Sequence, residues 1–275
     1  MSQQLKYLSR IRDEFDAVIC GVNGVIFSGG KLNQNCIDTL IKLYQSGKKV
    51  TLASNSGQRV NDLFRALKYA HVPMNIFSAM ITAGEIAHFY LKNNSSLGHS
   101  YYKLGEEDSL VVRGLDYKRT DNMVMADFLL AETHENGLYA EKYDMLIHQA
   151  LDLKLPMVCV GNNTLVIGKN GVVSSVGALA EQYAMLGGKI IPFGKPDVRI
   201  AAYLTEEMAD VSPARCLVIG DCMSTDIRMG NQFKAKTLLI TAGVHQILDD
   251  QSQKIDELSE SYGLNVDYYM EGLSW

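Results

Sequence analysis

Ala17-Val18-Ile19-Cys20-Gly21-Val22-Asn23-Gly24-Val25-Ile26 is an apolar run that ends in a glycine-punctuated turn. Continuous apolarity, rather than alternation, is the pattern of a strand covered on both faces, as in a parallel sheet. The turn holds Gly21 and Asn23, and neither side chain can exchange a proton at neutral pH. Two later segments have the same form: Thr51-Leu52-Ala53 ends at Ser54-Asn55, and Leu217-Val218-Ile219 ends at Gly220-Asp221. In open α/β sheets, ligands bind beyond the carboxyl ends of the strands. If these three strands are parallel neighbours, their polar ends share one crevice.

Strand and helix patterns alternate on either side of this stretch. Helices are predicted over Asn35 to Gln45, with Cys36, Leu40 and Leu43 on one face, and over Arg59 to Ala70, with Val60, Leu63 and Leu67 in register. Late in the chain, helices over Val198 to Met208 and Thr225 to Phe233 alternate with strands over Arg215 to Ile219 and Thr237 to Thr241. Such alternation predicts an α/β fold, a doubly wound parallel-sheet core with right-handed crossovers. The middle carries its own short strands (Ser100 to Lys103, Asp127 to Ala131, Pro156 to Val160, Leu165 to Ile167). It also carries its own helices (Gly84 to Leu91, Ala140 to Leu153, Gly177 to Leu186). It is read as a smaller inserted α/β cap over 81–187, with the core over 1–80 and 188–275.

The 275 residues are 47% hydrophobic and 21% charged, ordinary values for a soluble globular protein, with net charge −5. Acid and base are mixed along the chain, so neither nucleic acid nor an anionic membrane is an expected partner. The polar N-terminus has no apolar signal core, and no apolar run approaches the roughly 18 residues of a spanning helix. Five cysteines (Cys20, Cys36, Cys159, Cys216, Cys222) are scattered without paired spacing, as expected in a reducing cytoplasm.

Ser54 and Asn55 are expected just before a helix, where a hydroxyl and free N–H groups suit a phosphate. The same residue types also serve as helix N-caps, and both readings stay open. Lys195, between Gly194 and Pro196, offers a compact point charge for a phosphoryl group, or is a solvated surface lysine. Asp221, at a strand tip, and Asp226, expected in the first turn of the next helix, form a carboxylate pair that suits a hard cation such as magnesium. Asp226 could equally complement the helix dipole, and Asp221 could be a turn former.

The ordered set of these segments resembles the haloacid dehalogenase superfamily, and within it subclass IIA, the branch with an inserted α/β cap that includes nucleotide and nitrophenyl phosphatases. Val18 to Gly30 matches the first motif region, Thr51 to Ser56 the second, Gly194 to Asp197 the third, and Gly220 to Gly230 the fourth. Gly177-Ala178-Leu179-Ala180 to Gly187-Gly188 resembles that branch's return from cap to core. The resemblance implies an aspartate nucleophile where this chain has Gly21, and commonly a general-acid aspartate where it has Asn23. It implies a phosphate-binding role for Ser54, with Asn55 beside it. Lys195 matches the lysine that neutralises nucleophile and phosphoryl group. Asp221 matches the magnesium aspartate and Asp226 the carboxylate supporting it, with the Asn23 carbonyl as a further metal ligand. Asn162 and Asn163 fall in the cap's substrate-facing loop.

Gly21 has no side chain to form an aspartyl phosphate, and Asn23 cannot act as an acid. The expectation is therefore a phosphatase fold impaired in catalysis, a pseudoenzyme that keeps an anion-binding crevice, with magnesium bound weakly or not at all. Its expected ligand is a small phosphorylated metabolite or an inorganic anion, and a homodimer stays open. Two rival readings are an active hydrolase using an unfamiliar nucleophile or metal-bound water, and a scaffold protein with a vestigial site. As replacement nucleophiles, Cys20 is expected to point into the core, Cys222 to be blunted by neighbouring negative charge, and Ser54 to lack a base.

Overall fold

The computed structural model describes residues 2–105, 108–133, 140–247 and 252–275. Seven parallel strands form the main sheet, in the order Gln3–Gln4, Tyr268–Met270, Lys236–Ile240, Cys216–Gly220, Ala17–Gly21, Lys49–Ser54, Ala79–Thr82. The three strands singled out by their apolar runs are the consecutive central ones. Each is buried almost throughout, which is why each reads as continuous rather than alternating.

Strand alternation divides the core. Val18, Cys20, Val50 and Leu52 face Leu40 and Leu43 of helix Gln34–Gln45 and Leu63 and Leu67 of helix Val60–Tyr69. Ala17, Ile19, Ala53 and Val218 face Ile200 and Leu204 of helix Val198–Glu207 and Met229 of helix Arg228–Phe233 on the other side. Helices therefore cover both faces, as the doubly wound pattern predicts.

The cap is a second sheet of five parallel strands, in the order Ile190–Phe193, Met157–Val160, Phe128–Glu132, Ser100–Leu104, Lys118–Arg119. Its far boundary differs from the 187/188 division. Ile190–Phe193 pairs with Met157–Val160, so the chain returns to the core only at Gly194. The 187/188 division would put this strand in the core, whereas it forms the edge of the cap sheet. Helix Val176–Met185, taken as the return to the core, packs Val176, Leu179, Ala180 and Tyr183 into the cap's own cluster. At the near boundary, helix Ala83–Lys92 follows the last core strand directly and buries Ala83, Ala87 and Leu91 against the cap sheet.

Two antiparallel ribbons stand apart from the sheets: Phe27–Ser28 with Lys31–Leu32 in the core, and Leu165–Gly168 with Gly171–Ser174 in the cap. They meet, since a Cβ on Gly29 would lie 3.3 Å from the Gly168 carbonyl oxygen.

Candidate active site between core and cap

The carboxyl ends of the three central strands open on a crevice that the cap covers. Its lining includes Asn23, Asn55, Asn163, Lys195, Asp221 and Asp226. The crevice and its mouth together enclose about 380 Å³. The innermost part is narrow, with room for about one or two waters.

Lys195 is at the centre. Its Nζ donates to Asp226 Oδ1 and to the Ala53 carbonyl, both at 2.7 Å, and the residue is buried. Its backbone N–H donates to Asn55 Oδ1 at 2.6 Å. Of the two readings of Lys195, the solvated surface lysine is thereby set aside. Asn55 continues the chain of contacts into the cap, where its Nδ2 donates to Asn163 Oδ1 at 2.7 Å. Asn162 does not line the crevice. Its amide instead donates to the Gly194 carbonyl at 3.0 Å and fastens the cap loop to the core.

The two aspartates fit slots that glycines leave open. A Cβ on either Gly24 or Gly243 would fall on the Asp221 side chain, and one on Gly220 would fall on Asp226. Asp221 accepts a hydrogen bond from the Val244 N–H at 3.0 Å. Burial, and then the Asp226 carboxylate, raise its pKa to about 7. Asp226 lies in a π-helical turn, Met223–Ile227, just ahead of helix Arg228–Phe233, rather than in the first turn of one continuous helix.

Gly21 looks into the same place. A Cβ there would lie 3.3 Å from Asp226 Oδ1, so any side chain at position 21 would meet the Lys195–Asp226 pair. Cys20 points the other way, fully buried, and contact with Cys36, then burial, hold its pKa well above the usual thiol value. Cys222 is also raised, by burial first and only then by Asp226 and Asp221. Ser54 is buried with its Oγ accepting from the Ser56 N–H at 3.1 Å. Neither Ser54 nor Asn55 sits at a helix start: the next helix begins at Val60, and the Glu85 carboxylate accepts its Val60 N–H at 3.0 Å. The loop 56–59 comes between them, so the N-cap reading of this pair is withdrawn.

The cap ribbon supplies Leu165, Val166 and Ile167 to the lining, and Thr133 joins them. The sequence reading missed the ribbon as a unit, although Asn170-Gly171 between aliphatic runs is a strong hairpin signal. The Val244 N–H and the glycine slots leave no such signal, because their roles depend on the third dimension. Among the described residues, no group of three or more His, Cys, Asp or Glu is placed to hold a metal ion.

A HAD-hydrolase-like family model matches residues 192–262, which carry Lys195, Asp221, Asp226 and Val244. Among solved structures, a haloacid dehalogenase-like hydrolase from Brucella suis 1330 superimposes with a TM-score of 0.80 at 22% identity, covering 98% of this chain and 99% of that one. The fold is that of these haloacid dehalogenase-like hydrolases, a parallel-sheet core with an inserted cap. NagD from Escherichia coli K-12 gives a TM-score of 0.63 at 20% identity, covering 94% of this chain and 96% of that one. In sequence, phosphoglycolate phosphatase 1A, chloroplastic, from Arabidopsis thaliana is 24% identical over 280 residues, 92% of this chain and 76% of that one. Chronophin from Rattus norvegicus is 22% identical over 286 residues, 97% and 88% of the two chains. Among the described residues, no helix is long and apolar enough to cross a membrane.

Proposed function

We propose that this haloacid dehalogenase-fold protein holds a phosphate group in its capped crevice without hydrolysing it through an aspartyl phosphate. One observation carries the reading. The tip of the central strand, where this fold family places its nucleophile, holds Gly21, and position 21 faces Lys195 and Asp226 with no side chain of its own. Covalent phosphoryl transfer needs a carboxylate in line with phosphorus, and none is supplied from this strand.

The rival nucleophiles fare poorly. Cys20 faces the opposite side of the sheet, and Cys222 is raised rather than activated. Ser54 Oγ already accepts a hydrogen bond from the Ser56 N–H, and among the described residues no side-chain base is hydrogen-bonded to it. Leaving-group protonation has no donor at Asn23, which is exposed at the crevice rim.

The residues fit magnesium poorly. Asp226 is committed to Lys195 and Gly21 supplies no oxygen, which leaves Asp221 as the one carboxylate of the described lining not paired with a lysine. Magnesium demands near-ideal octahedral oxygen coordination and sheds water reluctantly. Lys195 puts a cation in the lining, and with no carboxylate at position 21 the crevice repels an anion less. The ligand proposed is a small phosphorylated metabolite or inorganic phosphate. The narrow interior requires the cap to ease away from Asn55 as the ligand enters.

The test is a thermal-shift titration with inorganic phosphate alongside turnover of phosphate esters with magnesium. A phosphate-dependent rise in Tm without turnover supports the reading. No shift points instead to a scaffold, and turnover to an active enzyme.

A further inference from the structure

The cap ribbon carries five aliphatic residues, Leu165, Val166, Ile167, Val172 and Val173. Among the described residues, none of the five joins a hydrophobic cluster of either domain. Leu165 is 41% exposed. Val166 is buried, whereas Leu165 and the half-buried Ile167 keep apolar surface open at the crevice, and a two-stranded ribbon that gains little stability by itself and leaves such surface open marks a place where something else binds. Three of the five line the crevice that holds Lys195 and Asp221.

The polar groups on the same wall are largely engaged. Thr133 Oγ1 donates to the Val160 carbonyl at 3.2 Å, and Asn163 Oδ1 accepts from Asn55. Among the described residues, the Asn163 amide N–H groups have no hydrogen-bond acceptor. A sugar or glycerol chain brings several hydroxyls, each of which loses water and needs a partner. The ribbon's crevice-facing positions, Leu165 and Ile167, answer such hydroxyls with aliphatic side chains, and the amides beside them are those of Asn163 and the rim residue Asn23.

We infer that the bound molecule is a phosphate monoester whose organic part is apolar, an alkyl or aryl phosphate rather than a sugar phosphate. This rests on the phosphate-binding reading given under Proposed function. The phosphate lies against Lys195, and the alkyl or aryl group lies towards the mouth under Leu165 and Ile167.

Calorimetric binding of inorganic phosphate, n-butyl phosphate, phenyl phosphate, glycerol 3-phosphate and glucose 6-phosphate, without magnesium, tests it. Each buried methylene is worth about fourfold in affinity, so butyl and phenyl phosphate are expected to bind at least about tenfold tighter than inorganic phosphate. The two polyol phosphates are expected to gain nothing over inorganic phosphate. Leu165→Asn, at a half-exposed position that tolerates polarity, and Ile167→Asn should each erase most of the gain while leaving inorganic phosphate affinity unchanged. If inorganic phosphate binds and the polyol phosphates match or exceed the apolar esters, the inference falls and the phosphate reading stands. If no phosphate compound binds, both fall.

Discussion

Lys195 Nζ lies 2.7 Å from Asp226 Oδ1, with the two side chains only 5% and 4% exposed. Both charges are almost cut off from bulk water, so each depends on the other. Removing one partner of such a pair typically costs about 3–5 kcal/mol, because the other charge stays buried. Lys195→Met should therefore lower stability to chemical denaturation by about that amount. Lys195→Met with Asp226→Asn should recover most of it. A double variant no more stable than Lys195→Met would mean that the pair is not what holds Lys195 in place.

Gly24 and Gly30 provide a matched comparison. Both have left-handed backbone, with φ of +81° and +78°. A Cβ on Gly24 would fall on the Asp221 carboxylate, whereas one on Gly30 would meet nothing within 4 Å. Gly30→Ala should cost about 1–2 kcal/mol, the strain of left-handed backbone. Gly24→Ala should add about 1–3 kcal/mol of overpacking and displace Asp221. Equal losses in urea denaturation would show that the Asp221 slot is looser than it looks.

Asp221 links stability to pH. Its folded pKa, about 7, lies above the ordinary carboxylate value, so the folded state binds a proton more tightly than the unfolded chain. Its contribution to stability is then fullest below about pH 4 and declines as pH rises towards 7. His245, lowered by burial, gives a slope of opposite sign below its ordinary value. The informative quantity is therefore the difference between parent and Asp221→Asn, which keeps an acceptor for the Val244 N–H. From pH 5 to about 7 the variant's Tm should improve relative to the parent, and the difference should level off above that. A constant difference would mean that Asp221 is already ionised at pH 5.

Restoring a carboxylate at position 21 should change the metal chemistry. In Gly21→Asp the new side chain starts 3.3 Å from Asp226 Oδ1, and crowded carboxylates repel. The variant should melt lower than the parent without magnesium and recover when it is added, since the added oxygen ligand completes a site the parent lacks. Titration calorimetry should show magnesium binding at least about tenfold tighter than in the parent. Unchanged affinity would mean that position 21 does not face the metal position.

The alternating core was legible because each central strand is covered on both faces and each helix on one, so periodicity recorded the packing. The cap's last strand was not, because Ile190–Phe193 is a short edge strand whose partner, Met157–Val160, lies far back in the chain. Candidate residues could be named from motif order, but their connections could not. That Asn55 bridges Lys195 to Asn163 depends on three loops meeting, and local sequence carries no record of it. The helix start, predicted at Arg59, is found at Val60, but the pattern does not show that the intervening loop carries Ser54 and Asn55 away from that helix end.

The central claim is that the chain keeps the phosphatase fold and lacks its nucleophile. Hydrolysis of a panel of phosphate monoesters, with millimolar magnesium and with Asp221→Ala assayed in parallel, tests this most directly. The parent should show no turnover above the Asp221→Ala background. Magnesium-dependent turnover by the parent that Asp221→Ala abolishes would contradict the claim.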